Sequence, residues 1–196
     1  MMKILVGIIW LALVTVGITV ILTYANTPGE AAPKADWPKN TILRLDAIKP
    51  TLVMFLHTQC PCSKAAVEEI QSIMNKDNSK EKIIVLYYKP KDKPDSWVTS
   101  ASLWTKLSNS RVKQVIDTDG VEAKKFNSKT SGQSFLYTNM GQIVFSGGIT
   151  ASRGHSGNSP GQEDIINFVN HPDQYSQYKN SKVFGCSLHN PERGQR

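Results

Sequence analysis

Cysteine is scarce in this chain: three in 196 residues, at positions 60, 62 and 186. An odd count excludes a closed disulfide framework, because each of the three possible pairings leaves one thiol over, and the sequence does not choose among them. Histidine is almost as rare, with four residues, and no Cys/His quartet has metal-ligand spacing, which argues against a closed structural zinc site. Gly147, Gly148, Gly154 and Gly157 are not followed by Lys-Ser/Thr, so they form no phosphate loop. Internal repeats and low-complexity tracts are absent. Runs of like charge are missing too. The formal net charge is +7, but the lysines are scattered through every segment of the body, which argues against a nucleic-acid partner and assigns the charge to solubility and affinity for an anionic membrane surface.

From Ile4 to Leu22 charge is missing altogether, and the run is mostly apolar with Lys3 just before it. A helix needs roughly 20 such residues to cross a bilayer core. A cleaved signal has a shorter apolar region of about 7–15 residues, and Thr23-Tyr24-Ala25 is a poor cleavage site, so residues 1–25 read as a transmembrane anchor in preference to a signal segment. Lys3 favours a body outside the cytoplasm. No cysteine lies near this segment to carry a lipid. Residues 26–40, with Pro28, Gly29, Pro33 and Pro38 and no regular period, read as a linker.

What remains is the size of one domain, 41–180, with 181–196 as a C-terminal tail. Thr51–His57 and Ile83–Tyr88 are short apolar runs, the mark of buried strands. Cys62–Asn75 places Ala66, Ile70, Ile73 and Met74 at helical spacing. Asp95 or Ser96 is positioned to cap a helix to about Ser108. A short strand over 112–117 and a short helix over 121–126 follow. Phe135–Thr138 and Gln142–Ser146 flank an Asn-Met-Gly turn and form a hairpin. Ser159-Pro160-Gly161-Gln162 reads as a cap, a proline in the first turn and a capping-box Gln before a last helix. The Trp and Tyr residues read as core, His171 and His189 as surface. The order βαβαβαββα predicts an α/β domain with a mixed sheet and helices on both faces.

The chemistry concentrates in Phe55-Leu-His-Thr-Gln-Cys-Pro-Cys-Ser-Lys64. A thiol at the join of a strand and a helix N-terminus has a lowered pKa and is a ready nucleophile or soft-metal ligand. Cys60 occupies that place, and Pro61 suits the first helical turn. A Cys60–Cys62 disulfide would close a small ring, of the strained and easily reduced kind. Cys186 is the other candidate partner. His57, three residues before Cys60, is a candidate to stabilise a thiolate or take a proton. Arg153 and His155, in a glycine-rich loop after the hairpin, are candidates to steady a thiolate or bind an anionic substrate.

This element order with its cysteine motif resembles the thioredoxin superfamily over about residues 45–170. Phe55 stands where that family has a strand phenylalanine, Cys60 matches its nucleophile, Ser63 its second cysteine and Lys64 the basic residue after it. Cys-Pro-Cys-Ser, Ser146-Gly-Gly-Ile-Thr-Ala-Ser-Arg-Gly-His155 and Phe184-Gly185-Cys186 are similar to the RedB-like group of bacterial thioredoxin-like proteins. The resemblance implies a single-pass protein of a bacterial cell membrane whose domain faces the periplasm or exterior. It also shows two departures. Ser63 replaces the resolving cysteine, and Gly132 falls on or near the family's cis-proline.

Two function classes follow. One is a membrane-anchored thiol-disulfide oxidoreductase without a cofactor, acting on protein disulfide or thiol partners, with Cys60 attacking and Cys62 or Cys186 resolving. The other is a metal-binding or delivery protein holding Cu(I) on Cys60 and Cys62. A peroxidase, with Thr58 as an activating hydroxyl, ranks third.

Overall fold

The computed structural model describes residues 2–76, 80–108, 111–173 and 177–189. Its first helix, α1 (Met2–Asn26), has no buried residue and a mean hydropathy of 2.7 over its most apolar stretch, so it is long and apolar enough to span a membrane. Trp10 on α1 and Tyr24 near its end are exposed, which corrects their reading as core: α1 gives them no partner layer.

The apolar run Thr51–His57 forms β1, buried along its whole length. It lies parallel to β2 (Lys82–Lys89), which is parallel to β3 (Val112–Thr118). On its other side β1 pairs antiparallel with β4 (Ser134–Tyr137), and β4 makes a hairpin with β5 (Ile143–Gly147). A two-residue strand, β6 (Lys179–Asn180), adds to that edge, giving the order β3-β2-β1-β4-β5-β6. Burial on both sides explains the continuous apolar run of β1, because alternate residues enter opposite layers. Leu52, Met54 and Leu56 pack with Ile70 and Ile73 of α2 (Cys62–Lys76) and Ile165 of α6 (Pro160–Asn170). Val53 and Phe55 pack with Ala123 of α5 (Val121–Lys125), Phe126, Phe135 and Tyr137.

The expected helix from 95 to 108 is two short ones, α3 (Ser96–Thr99) and α4 (Ser102–Lys106). Asp95 does not cap α3 with its side chain, because its carboxylate is taken by Lys89 Nζ at 2.7 Å. The expected cap of α6 forms at Ser159, whose Oγ accepts the Gln162 N–H at 3.2 Å. The reciprocal half of the box does not: Gln162 Nε2 is held by buried Glu69, and Oε1, the atom that would accept the Ser159 N–H, has no hydrogen-bond partner. Ser159 Oγ also donates to the Ile149 carbonyl at 2.8 Å. Ser159→Ala is therefore expected to cost about 1–2 kcal/mol, read as a lower midpoint in urea unfolding with unchanged slope.

Residues 27–50 contain no helix or strand, yet they are laid on the domain. Ala32 N–H donates to Gln133 Oε1 at 3.0 Å, and Trp37 makes edge contacts with Phe126 and Tyr137. The stretch expected as a linker is thus a cover for one face of the sheet. The beginning of the expected tail is packed too. Val183 and Leu188 are almost fully buried, and His189 is half-buried with its ring edge-on to Tyr88, where a surface residue was expected.

Candidate functional site: a three-thiol cluster

The turn between β1 and α2 brings the first two thiols together. Cys60 N–H donates to the His57 carbonyl at 3.0 Å, and Ser63 N–H donates to the Cys60 carbonyl at 3.0 Å. Pro61 sits in this turn and α2 opens at Cys62, so the Cys62 and Ser63 backbone lies at the positive end of a helix dipole. Both Cys60 and Cys62 are buried.

The third thiol arrives from the far end of the chain. Residues 183–189 run as a strap beside the loop that precedes β4. Ser131 N–H donates to the Cys186 carbonyl at 2.9 Å and Leu188 N–H to the Lys129 carbonyl at 2.7 Å, with an antiparallel bridge between Thr130 and Ser187. Gly185 is required by a close approach, since a Cβ there would sit 1.8 Å from the Ser131 carbonyl oxygen. The outcome is that the sulfurs of Cys60, Cys62 and half-buried Cys186 all lie within 4.8 Å of one another, each of them free.

Their acidities differ. Burial raises the Cys60 thiol, but hydrogen bonds from the Cys186 side chain, from the Cys186 and Cys62 N–H groups and from Ser63 outweigh it, so Cys60 is lowered overall. Burial and then the neighbouring Cys60 charge raise Cys62, against the opposing pull of Arg153. Cys186 is pushed up to about 12 by burial and by its contact with Cys60. One acidic thiol flanked by two that hold their protons is an arrangement for a single nucleophile.

The remaining candidates have other places. Ser63 is buried. Its Oγ donates to the His57 carbonyl at 2.9 Å and lies 2.8 Å from Ser131 Oγ, which also accepts the His57 N–H at 2.9 Å. Ser131 thus ties the loop before β4 to the turn carrying Cys60; nothing in a lone serine signals that, and only its place beside Gly132 could have suggested it. Gly132 takes φ +93°, a conformation open to glycine, and its N–H donates to the Phe55 carbonyl at 2.8 Å. Among the described residues no peptide bond is cis.

The His57 ring stacks on Tyr88 and meets Trp97 edge-on, while its Nδ1 accepts the Gln59 N–H at 3.1 Å. The Arg153 guanidinium donates to the Thr27 carbonyl at 2.9 Å and the Gly185 carbonyl at 2.6 Å, and it lies over the Tyr24 ring. It therefore fastens the strap while its charge reaches Cys62. His155 is exposed, with Nδ1 on the Arg153 carbonyl of its own loop. Thr58 Oγ1 is buried without a hydrogen-bond partner, so it is not bonded to the Cys60 sulfur as the peroxidase reading requires.

An open cavity of about 360 Å³ beside the strap is lined by Lys129, Arg153, Cys186 and His189, and it gives a ligand access to the third thiol. The larger cavity, about 780 Å³, lies between residues 26–32 and the connection from β5 to α6 and touches none of the cysteines.

No protein-family model and no curated protein matches the sequence. Solved structures do. An uncharacterized conserved protein from Geobacillus kaustophilus aligns at 15% identity and a TM-score of 0.58, over 87% of this chain and 94% of that one. A hypothetical protein from Sinorhizobium meliloti aligns at 14% identity and a TM-score of 0.54, over 84% and 96%. StoA from Bacillus subtilis aligns at 19% identity and a TM-score of 0.46, over 70% and 98%. With β1–β3 parallel, the β4–β5 hairpin antiparallel and the cysteine pair at the β1–α2 turn, the chain is a protein of the thioredoxin-like fold.

Proposed function

We propose that this protein is a membrane-tethered thiol-disulfide oxidoreductase, acting outside the cytoplasm, in which Cys60 is the nucleophile and Cys186 the resolving thiol. The observation that carries the reading is a Cys60 thiol held below its ordinary value with a second protonated thiol in hydrogen-bond contact. Residues 1–25 serve as the anchor, and Lys3 favours an N-terminus on the cytoplasmic side. The RedB-like grouping suggested by the sequence belongs to the same proposal.

In the first step the Cys60 thiolate attacks one sulfur of a partner protein's disulfide. The Cys60–substrate S–S bond forms, the substrate S–S bond breaks, and the substrate's other sulfur leaves as a thiolate. In the second step Cys186 loses its proton and attacks Cys60 Sγ. A Cys60–Cys186 disulfide forms and the second substrate sulfur is released. The substrate gains two electrons and the protein loses two, which a dithiol partner protein restores. Burial keeps Cys186 protonated at rest. The part of its raised pKa that comes from Cys60 disappears once Cys60 is in the mixed disulfide and carries no charge. Cys186 is the better resolver because a Cys60–Cys62 bond would span only Pro61, whereas Cys186 comes from a separate segment. His57 acts through its carbonyl, which accepts the Cys60 N–H and the Ser63 hydroxyl, as a positioning residue.

Trapping tests the assignment. The reduced full-length chain in detergent, offered a protein disulfide, is expected to accumulate a mixed disulfide on Cys60 when Cys186 is serine and not when Cys62 is serine. Mass spectrometry of the alkylated product reads both. Accumulation in Cys62→Ser alone would move the resolving role to Cys62.

A further inference from the structure

Three sulfurs contributed by two distant parts of the chain converge with no histidine or carboxylate in the cluster, among the described residues. Their positions are fixed by backbone. The β1–α2 turn sets Cys60 and Cys62 through the His57 carbonyl and the first turn of α2. The strap sets Cys186 through hydrogen bonds with Ser131, Lys129 and Arg153. Almost fully buried Val183 and Leu188 anchor the strap on either side of it. A donor set held this way needs little rearrangement to receive an ion.

We propose that the reduced protein binds one Cu(I) ion through the thiolates of Cys60, Cys62 and Cys186. Soft thiolate donors select Cu(I) over the harder divalent ions. Zn(II), which also takes thiolate ligands, has four ligands in closed sites, and this cluster offers three. Burial of Cys60 and Cys62 keeps water from the ion, and the Arg153 charge, felt at Cys62, opposes the negative charge that three thiolates and one Cu(I) leave behind. The binding step balances without electron transfer. Copper enters and stays as Cu(I), three Cu–S bonds form, and thiol protons are released to solvent, two of them when Cys60 is already a thiolate. Metal binding and disulfide exchange exclude each other at any instant, because a disulfide between any two of these cysteines removes two donors. The domain thus carries a copper site that exists only in its reduced state.

The test uses the reduced full-length chain in detergent without oxygen, titrated with Cu(I) buffered by bicinchoninate. One Cu(I) per chain and a shell of three sulfurs by X-ray absorption are expected. Because loss of an outer-shell partner alone typically costs 10–100-fold in metal affinity, loss of a direct ligand in Cys186→Ser is expected to weaken binding by at least about tenfold and leave two sulfurs. Prior oxidation should abolish binding, with recovery on reduction. A wild-type shell of two sulfurs, a shell with nitrogen or oxygen, failure to take Cu(I) from the chelator, or equal retention of Zn(II) would each overturn the proposal. The wild-type shell needs no variant to fold. Exchange activity measured on the metal-free chain stands or falls separately.

Discussion

Replacing Cys60 with serine is expected to leave less than about one hundredth of the wild-type rate of disulfide reduction, because a serine hydroxyl without an activating base is a weak nucleophile. Cys60 is the only one of the three thiols whose acidity is increased, while burial leaves Cys62 and Cys186 protonated. The same difference sets a pH dependence. In the wild type the attack rate follows the Cys60 thiolate, so it rises with pH through the lowered Cys60 value and flattens above it, before an unperturbed thiol near about 8.5 has fully ionised. Stopped-flow reduction of a chromogenic disulfide from pH 5 to 10 measures both. A serine variant retaining more than about a tenth of the rate, with a midpoint near that of a free thiol, would transfer the attack to another cysteine.

Much of the frame around Cys60 is legible in the sequence, for physical reasons that also mark where legibility ends. Thr51–His57 announces a two-sided buried strand because Leu52–Leu56 is apolar throughout, and the strand is buried along its whole length. The α2 stripe and the β4–β5 hairpin are equally local, and so is the Ser159 cap. Failures occur where a side chain with a local use has a stronger distant partner. Asp95 leaves the start of α3 for Lys89, and Gln162 leaves its own helix start for Glu69, ninety-three positions away. Trp37 looks like part of a proline-rich linker and becomes the lid of an aromatic cluster because Phe126 and Tyr137 expose edges to it.

At the site, local reading places Cys60 and Cys62 on the right turn but cannot place Cys186. Its position is set by backbone pairing between residues 129–131 and 186–188, and backbone pairing leaves no side-chain signature. The departures seen in the sequence acquire a joint meaning there. Ser63, standing where the related fold has a second cysteine, hydrogen-bonds across to Ser131. That bond steadies the loop before β4, and the strap lies along the same loop. The place of the second thiol is therefore used to hold the segment that brings a third.

Gly185→Val carries the second large expected effect, and it isolates the strap from the rest of the fold. A Cβ at 185 would fall 1.8 Å from the Ser131 carbonyl oxygen and 3.3 Å from Thr130 Cγ2, and the nearer contact is backbone that cannot turn aside. Overpacking of this kind costs about 1–3 kcal/mol, enough to raise the open fraction of the strap roughly 5- to 150-fold. Lifting the strap frees Cys186 from the burial and the Cys60 contact that push its thiol up to about 12. Its value then falls toward that of an ordinary thiol, and at pH 8 it becomes far more reactive. Alkylation of Cys186 by iodoacetamide is thus expected to accelerate by at least about fivefold, while resolution of the Cys60 mixed disulfide slows because the attacking sulfur is no longer held in place. The atoms that a Cβ at 185 would meet all belong to the loop before β4 and none to the sheet or α2, so the main unfolding transition should move little. Unchanged Cys186 alkylation together with a large loss of global stability would show that the strap is an inseparable part of the core rather than a separately fastened carrier of the third thiol.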